Sequence, residues 1–178
     1  MDLGPVDRIT ADAIGDPGQR VFYIQARAGS DLVTVVVEKQ QVQLLSASVL
    51  ELMATLGIET GEGPDESQMD IEEPFEPRWR AGRLALGFDQ TLGVFTLEIE
   101  EFRPEPDEEP EMAQDEPSDV AEGEAEIITL LATREQMFAL SRHGVTVAAR
   151  GRPACQFCGN PMDPEGHACP AMNGHSKR

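Results

Sequence analysis

Apolar side chains change their period along this chain, and each change marks an element boundary. Residues 20–28, RVFYIQARA, and 31–39, DLVTVVVEK, are rich in the aromatic and β-branched residues that suit pleated strands. Only Gly29 and Ser30 separate them, which predicts a tight β-hairpin. After Glu38 the period lengthens: Val42, Leu45, Val49, Leu52, Met53 and Leu56 recur at three- and four-residue steps and share one helix face. Gly57 stands where a left-handed C-terminal cap is wanted.

A similar order returns downstream. Arg83 to Phe88 and Val94 to Phe102 read as strands on either side of a polar turn, and Glu126 to Leu131 is a further apolar run. Thr133 and Gln136 have the spacing of a capping box, in which hydroxyl and amide each satisfy an otherwise orphaned N–H. Met137, Leu140 and Val145 supply the buried stripe of the helix that follows, and Gly151 with Pro153 ends it. Laid together, VEKQQVQLL (37–45) and ATREQMFAL (132–140) place Lys39 over Arg134, Gln41 over Gln136 and Leu45 over Leu140. The pattern predicts an α+β domain over residues 1–151, an antiparallel sheet packing two helices, with a duplicated ββα unit as its suggested origin. Residues 152–178 form a separate C-terminal segment.

Charge sharpens this division. The formal net charge of -19 is concentrated in residues 59–126, which alone sum to -19, while 1–58 carry -3 and 127–178 carry +3. Within 104–126, PEPDEEPEMAQDEPSDVAEGEAE, there is no basic residue and proline recurs, so disorder is expected near 103–124, and a weaker disordered loop near 59–77. Acidity on this scale repels phosphate backbones and argues against nucleic acid as a partner; only the basic tail, through Arg150, Arg152, Lys177 and Arg178, escapes that objection. No apolar run approaches the roughly 18 residues that span a bilayer. The N-terminal stretch lacks the basic flank and apolar core of a signal peptide, so a cytosolic chain without membrane contact is expected.

All three cysteines lie in CQFCGNPMDPEGHACP, residues 155–170. Cys155-x-x-Cys158-Gly159 has the spacing at which two thiolates turn toward one ion, and His167-x-Cys169 completes a Cys3His set that favours zinc over magnesium or calcium. His175 is the alternative fourth ligand, and Asp163 and Glu165 are candidates for outer contacts. Four protein ligands close the shell, so such a zinc knuckle or ribbon is structural rather than catalytic.

Together, FYIQAR near the start, VEKQQVQLL at the first helix and GRPACQFCGNPMDPEGHACPAMNGH at the end resemble the uncharacterised actinobacterial family known as domain of unknown function 3090. The likeness runs along nearly the whole chain, with the acidic loops as its variable parts. Where typical members have Cys-Pro-x-Cys, this chain has Cys155-Gln-Phe-Cys158. The resemblance implies an intracellular bacterial protein whose gene tends to lie near those of a histidine-type phosphatase and a mycothiol-pathway ligase. It implies no activity.

Motifs of catalysis do not appear: there is no phosphate-binding Gly-x-x-x-x-Gly-Lys, no Gly-x-Ser-x-Gly and no His-Glu-x-x-His. Arg27, Lys39 and Arg134, with Gln40 and Gln41, are candidates for an anion-binding pocket if the hairpin and helix start converge. His143 reads as a surface or capping residue near a helix end. Trp79, between Arg78 and Arg80, reads as a core or interface anchor. The sequence thus favours a non-enzymatic adaptor or regulatory protein with a protein partner. An enzyme acting on an anionic small molecule, or nucleic-acid contact through the tail, are the alternatives.

Overall fold

The computed structural model describes residues 1–104, 124–150, 155–159, 162 and 169–171. Seven strands and two helices follow in the order β1 (Asp2–Pro5), β2 (Arg8–Ile14), β3 (Val21–Ala28), β4 (Asp31–Val37), α1 (Lys39–Leu56), β5 (Pro77–Asp89), β6 (Val94–Glu101), β7 (Ile127–Thr133) and α2 (Arg134–Ala149). The strands make one sheet of order β1-β7-β6-β5-β4-β3-β2. Its two outermost strands are separated in the chain only by Val6 and Asp7, whose N–H groups bond Leu131 O and Arg27 O respectively. The chain therefore passes from β7 straight to β3, and the sheet is closed on itself.

This is the predicted α+β class, but the sheet is mixed rather than antiparallel, because β1 pairs with β7 and β4 with β5 in parallel. Those two parallel pairings show that the repeat is larger than ββα. In one, Asp2 lies opposite Thr129 and Pro5 opposite Leu131. In the other, Pro77 lies opposite Thr34 and Arg80 opposite Val36. Each half of the chain is a three-stranded meander followed by a helix. The first strand of each, β1–β2 or β5, gives its beginning to the last strand of the other half and its remainder to its own second strand. Val21-Phe22 and Val94-Phe95 occupy matching places at the start of the two second strands.

Where a first strand changes partner, its carbonyls have no neighbour in the ladder. Gln41 and Gln136, each at the third position of its helix, fill that need. The Gln136 Oε1 accepts the N–H of Thr133 (2.8 Å), completing the predicted capping box, while its Nε2 donates to Val6 O (2.9 Å) and Asp7 O (3.0 Å). Gln41 Oε1 accepts the N–H of Glu38 (2.8 Å), and its Nε2 donates to Ala81 O (3.2 Å) and Gly82 O (3.0 Å). Both amides use the oxygen to start a helix and the nitrogen to hold a strand crossing in the other half.

The helices run antiparallel: the start of α1 faces the end of α2 in one cleft, and the end of α1 faces the start of α2 in another. They approach closely at Gly144, where a Cβ would lie 2.7 Å from Ser46 Oγ and 3.1 Å from Val42 Cγ1. Alternation along β6 and β7 sends Phe95, Leu97, Ile99, Ile128, Leu130 and Ala132 into a core shared with Val42, Val49, Met137 and Leu140 of the helices. Val145, expected in the buried stripe of α2, is 49% exposed, because Gly144 and Val147 face inward there instead.

The acidic stretch expected to be disordered near 59–77 is packed. It lies over the groove between α2 and β2, with Met69 buried there, its carbonyl accepting from Thr10 Oγ1. Arg8 Nε donates to Gln68 O (2.8 Å) and its Nη2 to Asp70 O, while Gln25 bonds both the N–H (2.8 Å) and the carbonyl (3.0 Å) of Glu72. One apolar anchor and buried donors for its backbone offset the repulsion of its carboxylates. The acidic run expected to be disordered near 103–124 falls largely on residues 105–123, outside the described residues.

Replacing Gln136 with Ala should lower the unfolding free energy, measured in urea, by about 1–2 kcal/mol through the loss of a cap and of partners for two carbonyls. Gln136→Glu keeps the cap acceptor but sets a carboxylate against Val6 O and Asp7 O, so it should be no more stable than Gln136→Ala. A wild-type-like Glu variant would show that the crossing does not need the amide.

Candidate metal centre

The three thiols converge. The Sγ atoms of Cys155, Cys158 and Cys169 all lie within 4.8 Å of one another, and those of Cys155 and Cys169 are 3.8 Å apart. No disulfide joins them. Cys155 and Cys169 are buried and Cys158 is half-buried. The local cause is a turn over Cys155–Gly159: Gly159 N–H bonds Cys155 O (2.9 Å) with Gly159 at φ 75°, and Phe157 N–H points at Cys155 Sγ (3.4 Å). A side chain at residue 159 would strain that left-handed backbone. The N–H groups of Phe157 and Cys158 hold the Cys155 thiol below its ordinary pKa, with Cys158 and Cys169 acting in the same direction against burial. Since thiolate is the form that binds metals, the turn favours the ligating state. This cluster could bind a metal ion. His167 and His175, the two candidate fourth ligands, and the outer candidates Asp163 and Glu165 lie outside the described residues.

The anion-binding candidates do not share a setting. Lys39 lines a cleft of about 560 Å³ with Arg20, Glu38 and Arg80, whereas Arg134 lines another of about 410 Å³ with Gly57, Phe88 and Gln90. Lys39 and Arg134 are matching first residues of two antiparallel helices, so the fold sends them to opposite ends of the helix pair. Arg27 faces neither cleft and pairs with Glu72 at 3.6 Å, next to Arg8, whose guanidinium also meets Glu72 at 3.6 Å. Burial lowers the pKa of Arg8, Glu72 raises it, and the neighbouring Arg27 lowers it further. Gln41 serves the strand crossing.

Other singled-out residues have structural partners. Trp79 packs on the core, and its Nε1 donates to Glu126 (3.1 Å), which also accepts from Arg78 (3.0 Å). Arg150, counted among the tail cations, pairs with Glu66 at 3.3 Å; Arg152, Lys177 and Arg178 lie outside the described residues. His143 is buried rather than at the surface, and its two ring nitrogens face Asp12 at 3.7 Å and Glu66 at 3.8 Å. These separations are ion-pair distances and too long for hydrogen bonds. Sequence reasoning missed this trio because its members come from β2, the α1–β5 connection and α2, with no local spacing to join them.

Burial opposes ionisation of Asp12, but His143, the N–H of Ala13 and the charge of Arg150 outweigh it and hold the carboxyl below its ordinary pKa. A depressed carboxylate pKa stabilises the fold above the unfolded-state value and loses that contribution as pH falls through the folded value. Asp12→Asn should therefore lower stability at neutral pH and flatten the loss of stability below about pH 4 in urea titrations at successive pH values. An unchanged acid limb would remove Asp12 from that account.

Comparison with known proteins adds a family and no activity. A family described as "Protein of unknown function (DUF3090)" matches residues 1–169. No curated protein and no solved structure matches the chain. Among the described residues, no helix is long and apolar enough to cross a membrane.

Proposed function

The chain belongs to the DUF3090 family, whose function is unknown, and from that premise we propose that it is a non-enzymatic adaptor carrying a structural zinc site in its C-terminal segment. The convergence of three thiols carries this reading. Thiolates about 2.3 Å from a zinc ion at tetrahedral angles stand about 3.8 Å from one another. Cys155 and Cys169 have that spacing, at 3.8 Å. Soft sulfur ligands select zinc over the hard cations. His167 is the fourth ligand in this reading, with His175 its substitute, and a closed shell leaves no position for a reacting water. The role of the metal is then to make the zinc knuckle as a whole a rigid display surface for a protein partner in the cytosol, where thiols stay reduced.

Native mass spectrometry of the purified protein should find one zinc per chain, and Cys158→Ser should release it while far-UV circular dichroism stays unchanged. A fully reduced, metal-free wild type would end the zinc assignment. For the adaptor role, wild type and Cys158→Ser serve as baits in affinity capture from the native cell. A partner retained by the first and lost by the second is expected; equal capture by both would detach partner binding from the metal centre.

A further inference from the structure

The internal duplication gives the molecule two matching grooves, one between α2 and β2 and one between α1 and β5. Residues 57–76 cover the first on their way from α1 to β5. Gly63 lies so close to α2 that a Cβ would be 2.7 Å from Glu135 O, and Met69, 2% exposed, is the apolar anchor. The second groove, of about 600 Å³, is lined by Leu44, Leu52, Leu84 and Leu86 with Gln41 and Arg83, and Leu44 remains 59% exposed.

Under the same duplication, the segment that matches residues 57–76 is the chain following α2. That chain starts beside the right place, since the end of α2, at Val147 and Ala148, lines a cleft with Lys39 at the start of α1. It is also long enough: 29 residues follow Ala149, against 20 between Leu56 and Pro77. Among its described residues the exposed large apolar side chain is Phe157, 70% exposed, in the turn built around Cys155. Phe157 lies eight positions beyond Ala149, a reach of up to about 28 Å, well beyond the roughly 10 Å width of a helix. The two grooves differ in a way that suits different occupants. Ala139, which lines the covered groove, and Ala11, which faces α2 at Gly144, give way to Leu44 and Leu86 in the other, a leucine-rich lining that accepts an aromatic ring better than a glycine-rich backbone.

We infer that the α1–β5 groove is the docking site of this chain's own C-terminal segment, with Phe157 as the side chain that enters it. The two exposed apolar surfaces, Leu44 and Phe157, then cover one another. This contact goes beyond the adaptor reading, which requires no association of the turn with the main domain.

The test uses the full chain with its metal retained, checked by native mass spectrometry, and a photo-crosslinking phenylalanine analogue in place of Phe157. After irradiation, the monomeric fraction should contain crosslinks to peptides spanning residues 41–55 or 82–86. Leu44→Asp, at a position already exposed to solvent, should cut their yield about tenfold with circular dichroism unchanged. In a second measurement without the analogue, Phe157→Ser should speed backbone hydrogen exchange in α1 and β5 relative to wild type. Groove crosslinks found only in a covalent dimer would assign the groove to a second copy, and crosslinks only to a foreign protein would assign it to a partner. Either result, or the lack of groove crosslinks in the monomer, overturns the inference.

Discussion

Two glutamine amides hold this molecule where its strands change partners. A strand that leaves one neighbour for another must pass through a point at which backbone carbonyls face neither, and unpaired carbonyls in a packed fold are costly. Gln136 supplies donors to Val6 O and Asp7 O, and Gln41 supplies them to Ala81 O and Gly82 O. Because each amide sits in the first turn of a helix belonging to the opposite half, helix start and strand crossing are fixed together. Neither half completes its own sheet: β4 ends against the start of β5, and β7 against β1. The duplicated units are thus mutually dependent in a way that two tandem domains are not.

The symmetry of the backbone is broken by what covers it. Connecting chain fills the α2–β2 groove, and there the polar residues are specialised to hold it: Arg8, Thr10 and Gln25 take its backbone, and His143 stands between Asp12 and Glu66. On the other side the matching strand positions carry Arg83 and Ala85, and Arg83 pairs with Glu100 instead of a crossing segment. The two halves have kept the same hydrogen-bonded frame while one groove acquired a permanent cover.

Local features were legible in the sequence because they rest on nearest-neighbour chemistry. Gly29-Ser30 between two apolar runs, the helix stripe from Val42 to Met53, Gly57 as a left-handed cap and the Thr133–Gln136 box all stand as read. The offset that laid Gln41 over Gln136 was the duplication, seen at its most functional position. Hidden from the same reasoning were β1 and β2, whose aspartates and Gly4-Pro5 interrupt any alternating pattern, and both parallel pairings, which join residues far apart in the chain. The thiol cluster was legible for the converse reason: Cys155, Cys158 and Cys169 lie within one short stretch. Lys39 and Arg134 misled, since equivalent positions in an antiparallel helix pair are kept apart by the very symmetry that makes them look alike.

The closing of the sheet through Val6 and Asp7 also imposes an order in time. During synthesis β2, β3, β4 and α1 emerge early and can associate, but Asp2 and Pro5 await Thr129 and Leu131, and the carbonyls of Val6 and Asp7 await Gln136. The seal is therefore among the last contacts made on the ribosome, and such distant pairings are slow to form. Until then both margins of the growing sheet stay open to other nascent chains. The early arrival of an acidic linker that packs on β2 gives the waiting half a charged, soluble surface on one side.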